Sequence, residues 1–186
     1  MTKKRFFKLF ILPWFKWLAR VFYQKKYLIG RHFEREPYGG WLWVLIGIWQ
    51  QKILGFNRAV PFPCHFTARI YQHQNIFFHP DNLDNFQSPG IYFDSVRPSI
   101  YLAKGVLIGL GVKLLTSNHD VNDFDLYQPD KDIVIGKNCW LGADVILLPG
   151  VTLNHTIVGA GTMVAHSFEK GNCVLAGVPA KLIKRL

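Results

Sequence analysis

Seven histidines, three cysteines and a scatter of acids are the residues of this 186-residue chain that could move protons, attack carbonyls or hold a metal. His119 is singled out by its surroundings, Thr116-Ser117-Asn118-His119-Asp120. It stands at the base of a polar stretch that carries Asn122, Asp123, Asp125, Pro129, Asp130 and Asp132. An unperturbed imidazole titrates near pH ~6.5, which suits it to general-base work near neutrality. A loop histidine is more often a bystander, so its position in the fold has to decide. His65, His73 and His79 fall in an irregular segment and read most simply as surface or capping groups, and His32 belongs to a basic leader. Zinc fits poorly: His119, His155 and His166 stand 36 and 11 residues apart, with no close pair, and no CxxC motif accompanies Cys64, Cys139 and Cys173. No metal is expected.

The elements that position His119 announce themselves as a repeat. Aliphatic residues fall six apart at Leu102, Ile108 and Leu114, again at Ile135, Leu141, Leu147 and Leu153, and then at Val158 and Val164. The next residue is often Gly or Ala, as at Ala103, Gly109, Gly136, Gly142, Gly159 and Ala165. Four residues after each aliphatic comes another apolar or small side chain: Val106, Val112, Cys139, Val145, Val151, Ile157 and Thr162. That residue and the next aliphatic are two apart, so on a short strand both face the same side. Strands of three joined by corners of three, with glycine relaxing the corner, close into a prism whose walls are parallel sheets. An ordinary parallel α/β sheet is excluded, because six-residue spacing leaves no room for crossover helices of at least about ten residues. Cys139 takes an inward slot and reads as a core residue rather than a nucleophile.

Two breaks in the phase matter. Leu114 and Ile135 are 21 apart, so Ser117 to about Asp132 must leave the prism as a loop. With Leu114 and Asn118 in inward slots, His119 points outward from the wall. Between Leu153 and Val158 the spacing drops to five, predicting a distortion near Asn154-His155-Thr156.

The run from Ile133 to Val151 (IVIGKNCWLGADVILLPGV), then Val158-Gly159-Ala160-Gly161 and the ending Ala176-Gly177-Val178-Pro179-Ala180-Lys181, resemble the hexapeptide-repeat acyltransferases. Within them the chain is most similar to the sugar and polysaccharide O-acetyltransferases. The match is strongest over 100–185. The resemblance implies an all-β fold, a left-handed parallel β-helix, assembled as a homotrimer with sites between subunits. It also implies acetyl-CoA as donor, a saccharide hydroxyl as acceptor, and a place in bacterial exopolysaccharide or capsule biosynthesis. Carried over residue by residue, the catalytic histidine falls on His119, with Asp94 and Asp120 as alternative orienting acids. The donor would meet Gly142, Ala143, Ala160 and Gly161 along the groove, His166 where relatives commonly have lysine, and Lys181 ahead of Lys184 and Arg185 at its phosphates. Trp140 reads equally as a wall of the acyl site or as a subunit-interface aromatic. Another small acceptor such as serine, an antibiotic or an amino sugar, or a non-catalytic scaffold, are the competing readings.

The formal charge of +10 is not spread evenly. Residues 1–60 hold 12 of the 22 Lys and Arg but only Glu34 and Glu36 among the acids, whereas 61–186 balance to zero. The same leader holds 15 of the 28 aromatics and five of the six Trp. The chain therefore divides into a helical, basic-aromatic extension over 1–60 and a β-helix domain over 61–186 with a short C-terminal tail. Lys4, Lys8, Lys16 and Arg20 recur at multiples of four along an apolar rod kinked at Pro13, and Trp41 to Trp49 form a second apolar segment. Such helices fit an anionic membrane surface, or else pack on the body or a partner subunit. No nucleic acid is expected, since no binding module surrounds these bases. The nine-residue apolar run is short of the roughly 20 that span a bilayer, and no signal-peptide pattern is seen. A cytoplasmic protein, peripheral at the inner face of the cell membrane, is the expectation.

Overall fold

The computed structural model describes residues 12–35, 38–128 and 131–186. The basic and aromatic residues expected on the first helix ahead of Leu12, together with Glu36, Pro129 and Asp130, lie outside the described residues.

From Arg69 the chain winds as a stacked triangular coil. The first turn supplies β1 (Arg69–Tyr71) and β2 (Ile76–Phe78), and the second supplies β3 (Tyr92–Asp94), β4 (Ile100–Leu102) and β5 (Leu107–Ile108). The third runs through β6 (Lys113–Leu115), β7 (Ile133–Ile135) and β8 (Trp140–Leu141), and the fourth through β9 (Ile146–Leu147), β10 (Thr152–Leu153) and β11 (Thr156–Val158). The last holds β12 (Met163–Val164), β13 (Cys173–Ala176) and β14 (Lys181–Arg185). Three sheets form the walls: β1-β3-β6-β9-β12, then β2-β4-β7-β10, then β5-β8-β11-β13-β14. All pairings are parallel except β13 with β14.

The six-residue aliphatics become vertical ladders. Phe93, Leu114, Leu147 and Val164 stack on the first wall, Leu102, Ile135 and Leu153 on the second, and Ile108, Leu141, Val158 and Leu175 on the third. All are buried. Each such side chain withdrawn from water is worth roughly 1.5–3 kcal/mol, so the row rather than any one turn holds the prism together.

Two inward slots differ from the sequence reading. Thr116, not Asn118, is buried beside Leu114, because strand alternation continues two residues past Leu114 before the chain leaves the wall. Thr156, not Ile157, is buried beside Val158, because the five-residue step shifts the phase by one. Thr156 Oγ1 donates to the Asn154 carbonyl at 2.8 Å, which removes the cost of an unpaired hydroxyl in the core. The C-terminal segment is also not a loose tail: it returns as β14, antiparallel to β13.

In the first turn a 3₁₀ segment, Pro80–Gln87, stands where the third wall would begin. Its asparagines imitate a strand. Asn85 donates to the Val106 carbonyl at 2.9 Å and accepts from the Ile108 N–H at 2.8 Å, and Asn82 likewise bridges Ala103 and Gly105. Below them Phe62, Phe78 and Phe86 pack ring on ring at 4.6–5.0 Å and close the prism. His79 accepts from the Asp81 N–H at the start of this segment.

The leader comprises α1 (Leu12–Phe22), α2 (Arg31–Glu34) and α3 (Gly39–Gly47), the last running into a π-helical turn, Ile48–Ile53. Gln51 in that turn is fully buried and joins leader to body. Its amide accepts from Tyr23 Oη at 2.9 Å and the Cys64 N–H at 3.1 Å, and donates to the Phe62 carbonyl at 3.2 Å. Arg31 adds an ion pair to Asp84 at 2.6 Å, and its N–H meets Asp81 at 2.8 Å. No helix among the described residues is long and apolar enough to cross a membrane.

Candidate active site

Past Thr116 the chain leaves the edge between the first and second walls, and residues 118–128 fold back as a small hairpin. Asp120 N–H donates to the Leu126 carbonyl and Gln128 N–H to the Asn118 carbonyl, each at 2.9 Å, which sets His119 opposite Tyr127. The acids shape the turn itself, with Asp120 accepting from Asn122 N–H and Asp123 from Asp125 N–H. Asp132 accepts from Ser99 N–H at 2.7 Å and brings the chain back to the wall. The hairpin's polar composition thus reflects local side-chain-to-backbone bonds that stabilise turns.

His119 is exposed, and its Nδ1 lies 2.6 Å from the carbonyl oxygen of Phe124. A carbonyl can only accept, so that bond puts the proton on Nδ1 and leaves the Nε2 lone pair free to take another. The imidazole lies against the Tyr127 ring at 4.6 Å between centroids, and the Arg97 guanidinium covers Tyr127 at 4.6 Å. Neither Asp94 nor Asp120 is the partner of Nδ1. Asp120 is engaged in the turn. Burial pushes the Asp94 carboxyl up, opposed by the Val96 N–H that bonds it. Phe124, Tyr127 and Arg97 are what sequence reasoning missed. A main-chain oxygen has no residue signature, and Arg97 reaches the hairpin from the preceding coil. Ser117 Oγ, two residues before His119, is buried without a partner.

The other candidates fall on different edges of the prism. His166 follows β12 and is exposed on the same edge as His119, two coils along, about 10 Å at strand spacing. Trp140 is 53% exposed on the third wall, in an outward row between Leu107 and Ile157, and Lys181 and Lys184 are exposed on β14 of that wall. Gly142 with Ala143, and Ala160 with Gly161, occupy the edge between the third and first walls. Apart from His166, one chain therefore does not bring its donor candidates to its own His119. Gly142 has a structural reason of its own: a Cβ there would stand 2.7 Å from the Ala160 backbone nitrogen, so coil stacking requires its absence. Gly161 faces open space. Cys139 is buried, and burial pushes its thiol up, away from nucleophile chemistry. Among the described residues no three His, Cys, Asp or Glu side chains gather as metal ligands would.

Comparison with known proteins places this geometry among relatives. No protein-family model matches the chain. It is 48% identical to the putative lipopolysaccharide biosynthesis O-acetyl transferase WbbJ of Escherichia coli, over 55% of this chain and 64% of that protein. It is 32% identical to the galactoside O-acetyltransferase of the same organism, over 47% and 45% respectively. The chain thus spans less than two thirds of either relative. In fold it matches a single-residue variant of AntD, an N-acyltransferase of Bacillus cereus solved with dTDP-4-amino-4,6-dideoxyglucose and coenzyme A. That match has a TM-score of 0.52 at 16% identity, over 64% of this chain and 77% of the other. In repeat pattern, coil architecture and curated relatives alike, this chain resembles the hexapeptide-repeat O-acetyltransferases.

Proposed function

We propose that this protein transfers the acetyl group of acetyl-CoA to a hydroxyl of a saccharide, with His119 as general base, in bacterial exopolysaccharide or capsule biosynthesis. The observation that carries the reading is the Nδ1 bond to the Phe124 carbonyl, since in the neutral ring it fixes the proton on Nδ1 and keeps the Nε2 lone pair available on an exposed side chain. Nε2 takes the proton of the attacking hydroxyl. The resulting imidazolium keeps its Nδ1–H on the Phe124 oxygen and gives the new proton to the departing sulfur. Acetyl-CoA, when bound, supplies the thioester carbonyl as electrophile and the thiol as leaving group. Lys181 and Lys184, exposed cations on β14, suit its phosphates, and Trp140 suits the wall of the acyl site. Backbone N–H groups would meet the developing oxyanion.

Because His119 and these donor candidates lie on different faces of one prism, the reading requires neighbouring copies. A homotrimer, with the His119 edge of one copy against the third wall of the next, joins them. The hand that the family resemblance implies for the coil, left-handed, goes with this arrangement. The experiment is transfer from radiolabelled acetyl-CoA to saccharides by the intact protein and His119→Ala. A kcat loss of about 10²–10⁴-fold is expected on removing a general base. Equal turnover would end the reading.

The leader supports contact with an anionic membrane face. Trp14 is 77% and Trp17 63% exposed on α1, and Leu42, Leu45 and Trp49 are exposed on the second helical run, with Lys16 and Arg20 beside them. Exposed indoles amid cations suit the boundary of lipid headgroups. Flotation with phosphatidylglycerol vesicles, lost in Trp14→Ser/Trp17→Ser and absent with phosphatidylcholine alone, is the expected result.

A further inference from the structure

A cleft of about 480 Å³ opens where the leader meets the first coil, and the proposed mechanism makes no use of it. Gln24, Lys26 and Tyr27 form its leader side, and His73, Gln74 and Phe77 its body side. Its composition is unlike a core defect: two carboxamides, an ammonium and an imidazole surround aromatic rings, and no acid lines it. Phe77 continues the aromatic surface upward, stacking on exposed Tyr101 with centroids 5.1 Å apart and planes 13° off parallel. Flat rings that take the C–H face of a sugar, carboxamides that take its hydroxyls and a cation for an anionic substituent make a saccharide-binding set.

The cleft shares an edge with His119. The turn Gln72–Asn75 joins the first wall to the second in the first coil, Ser95–Ser99 does so in the next, and the His119 hairpin leaves from the third. These levels are tied together: Asn75 Nδ2 donates to the Ser95 carbonyl at 2.8 Å and to the Arg97 carbonyl at 3.3 Å, Arg97 covers Tyr127, and Tyr127 lies on His119. Two coil spacings, roughly 10 Å along the prism, separate the level of the Gln72–Asn75 turn from the level at which the His119 hairpin leaves.

We propose that this cleft is a subsite for an anionic segment of the saccharide acceptor, held by Lys26, His73 and the two glutamines while another hydroxyl of the same chain reaches His119. This rests on the reading of His119 as the base for saccharide acetylation, and it makes the preferred acceptor acidic and longer than one sugar. Binding at a remote segment positions the reacting hydroxyl.

The test uses the full chain and titrates three probes by calorimetry without acetyl-CoA: cellobiouronic acid, cellobiose and glucose 1-phosphate. Cellobiouronic acid should bind at least tenfold more tightly than cellobiose, and glucose 1-phosphate tells whether a phosphate replaces the carboxylate. Lys26→Gln/His73→Gln and, separately, Gln74→Glu should each weaken the anionic probes at least fivefold, with circular dichroism reporting that the fold is kept. Equal affinity for cellobiose and cellobiouronic acid, no binding of either anion, or indifference to both cleft variants would overturn the subsite. Binding in the cleft with no acetyl transfer to any saccharide would leave the subsite standing and remove the transferase reading instead.

Discussion

Replacing Gln51 by Met keeps nearly the same volume in the π-helical turn and removes only the amide. The structure shows what is stranded. Tyr23 Oη and the Cys64 N–H lose their acceptor, and the Phe62 carbonyl loses its donor, while the Asn57 carbonyl keeps the Val60 N–H at 3.0 Å. Burial, with Cys64 second, pushes the Tyr23 hydroxyl up, and burial pushes the Cys64 thiol up to about 12, so both stay protonated near neutrality and cannot compensate as charges. Each buried polar group left unpaired costs about 1–3 kcal/mol, so three predict a loss of about 3–6 kcal/mol if Tyr23 relaxes partly toward solvent. That is a large share of the roughly 5–15 kcal/mol that holds a domain folded. Because the groups lie on both sides of the leader–body junction, the loss should fall on docking. Urea titration followed by tryptophan fluorescence, dominated by the five leader indoles, should shift to lower urea than the same titration followed by the β-helix circular dichroism. Coincident transitions displaced by less than about 1 kcal/mol would refute the assignment of Gln51 as the joint.

Gly142→Ala should destabilise the β-helix by about 1–3 kcal/mol in thermal or urea melts, since its methyl meets the Ala160 backbone rather than a yielding side chain. Gly161→Ala has open space and should cost only the left-handed backbone penalty at φ 67°, about 1–2 kcal/mol, so the larger loss in Gly161→Ala would contradict the stacking account. The Arg31 N–H holds the Asp81 carboxyl below its ordinary value, with Lys104 adding to it. A depressed carboxyl stabilises the docked leader above about pH 4 and loses that contribution as pH falls through its folded value. Leader fluorescence should therefore show an acid-side change that Asp81→Asn lacks, and superimposable acid profiles would count against it. Tyr127→Ala should lower kcat for transfer more than it raises KM for acetyl-CoA, because the ring steadies the imidazole. A change confined to KM would assign Tyr127 to donor binding.

The coil and the exit of the His119 loop were legible from local information alone. A six-residue period, small residues at corners and alternation on three-residue strands are short-range constraints, and a 21-residue gap in such a series has nowhere to go but outward. What depends on register was not. Whether Thr116 or Asn118, and Thr156 or Ile157, turns inward is settled by where each strand ends against its neighbour in the coil below, a contact between residues far apart in the chain. The same holds for the site. His119 is proposed from its position in the repeat, but the atom that holds its Nδ1 is a main-chain oxygen, brought close only when the hairpin closes, and every residue type carries one. Arg97 and Tyr127 meet because successive coils bring separate edges together. The exposure of Trp14 and Trp17 and the burial of Gln51 follow from how the leader docks, since a helix with aromatics around most of its circumference does not reveal which arc will be covered. The chain's periodicity thus determined the scaffold, and only stacking one coil on the next decided which side chains share an edge.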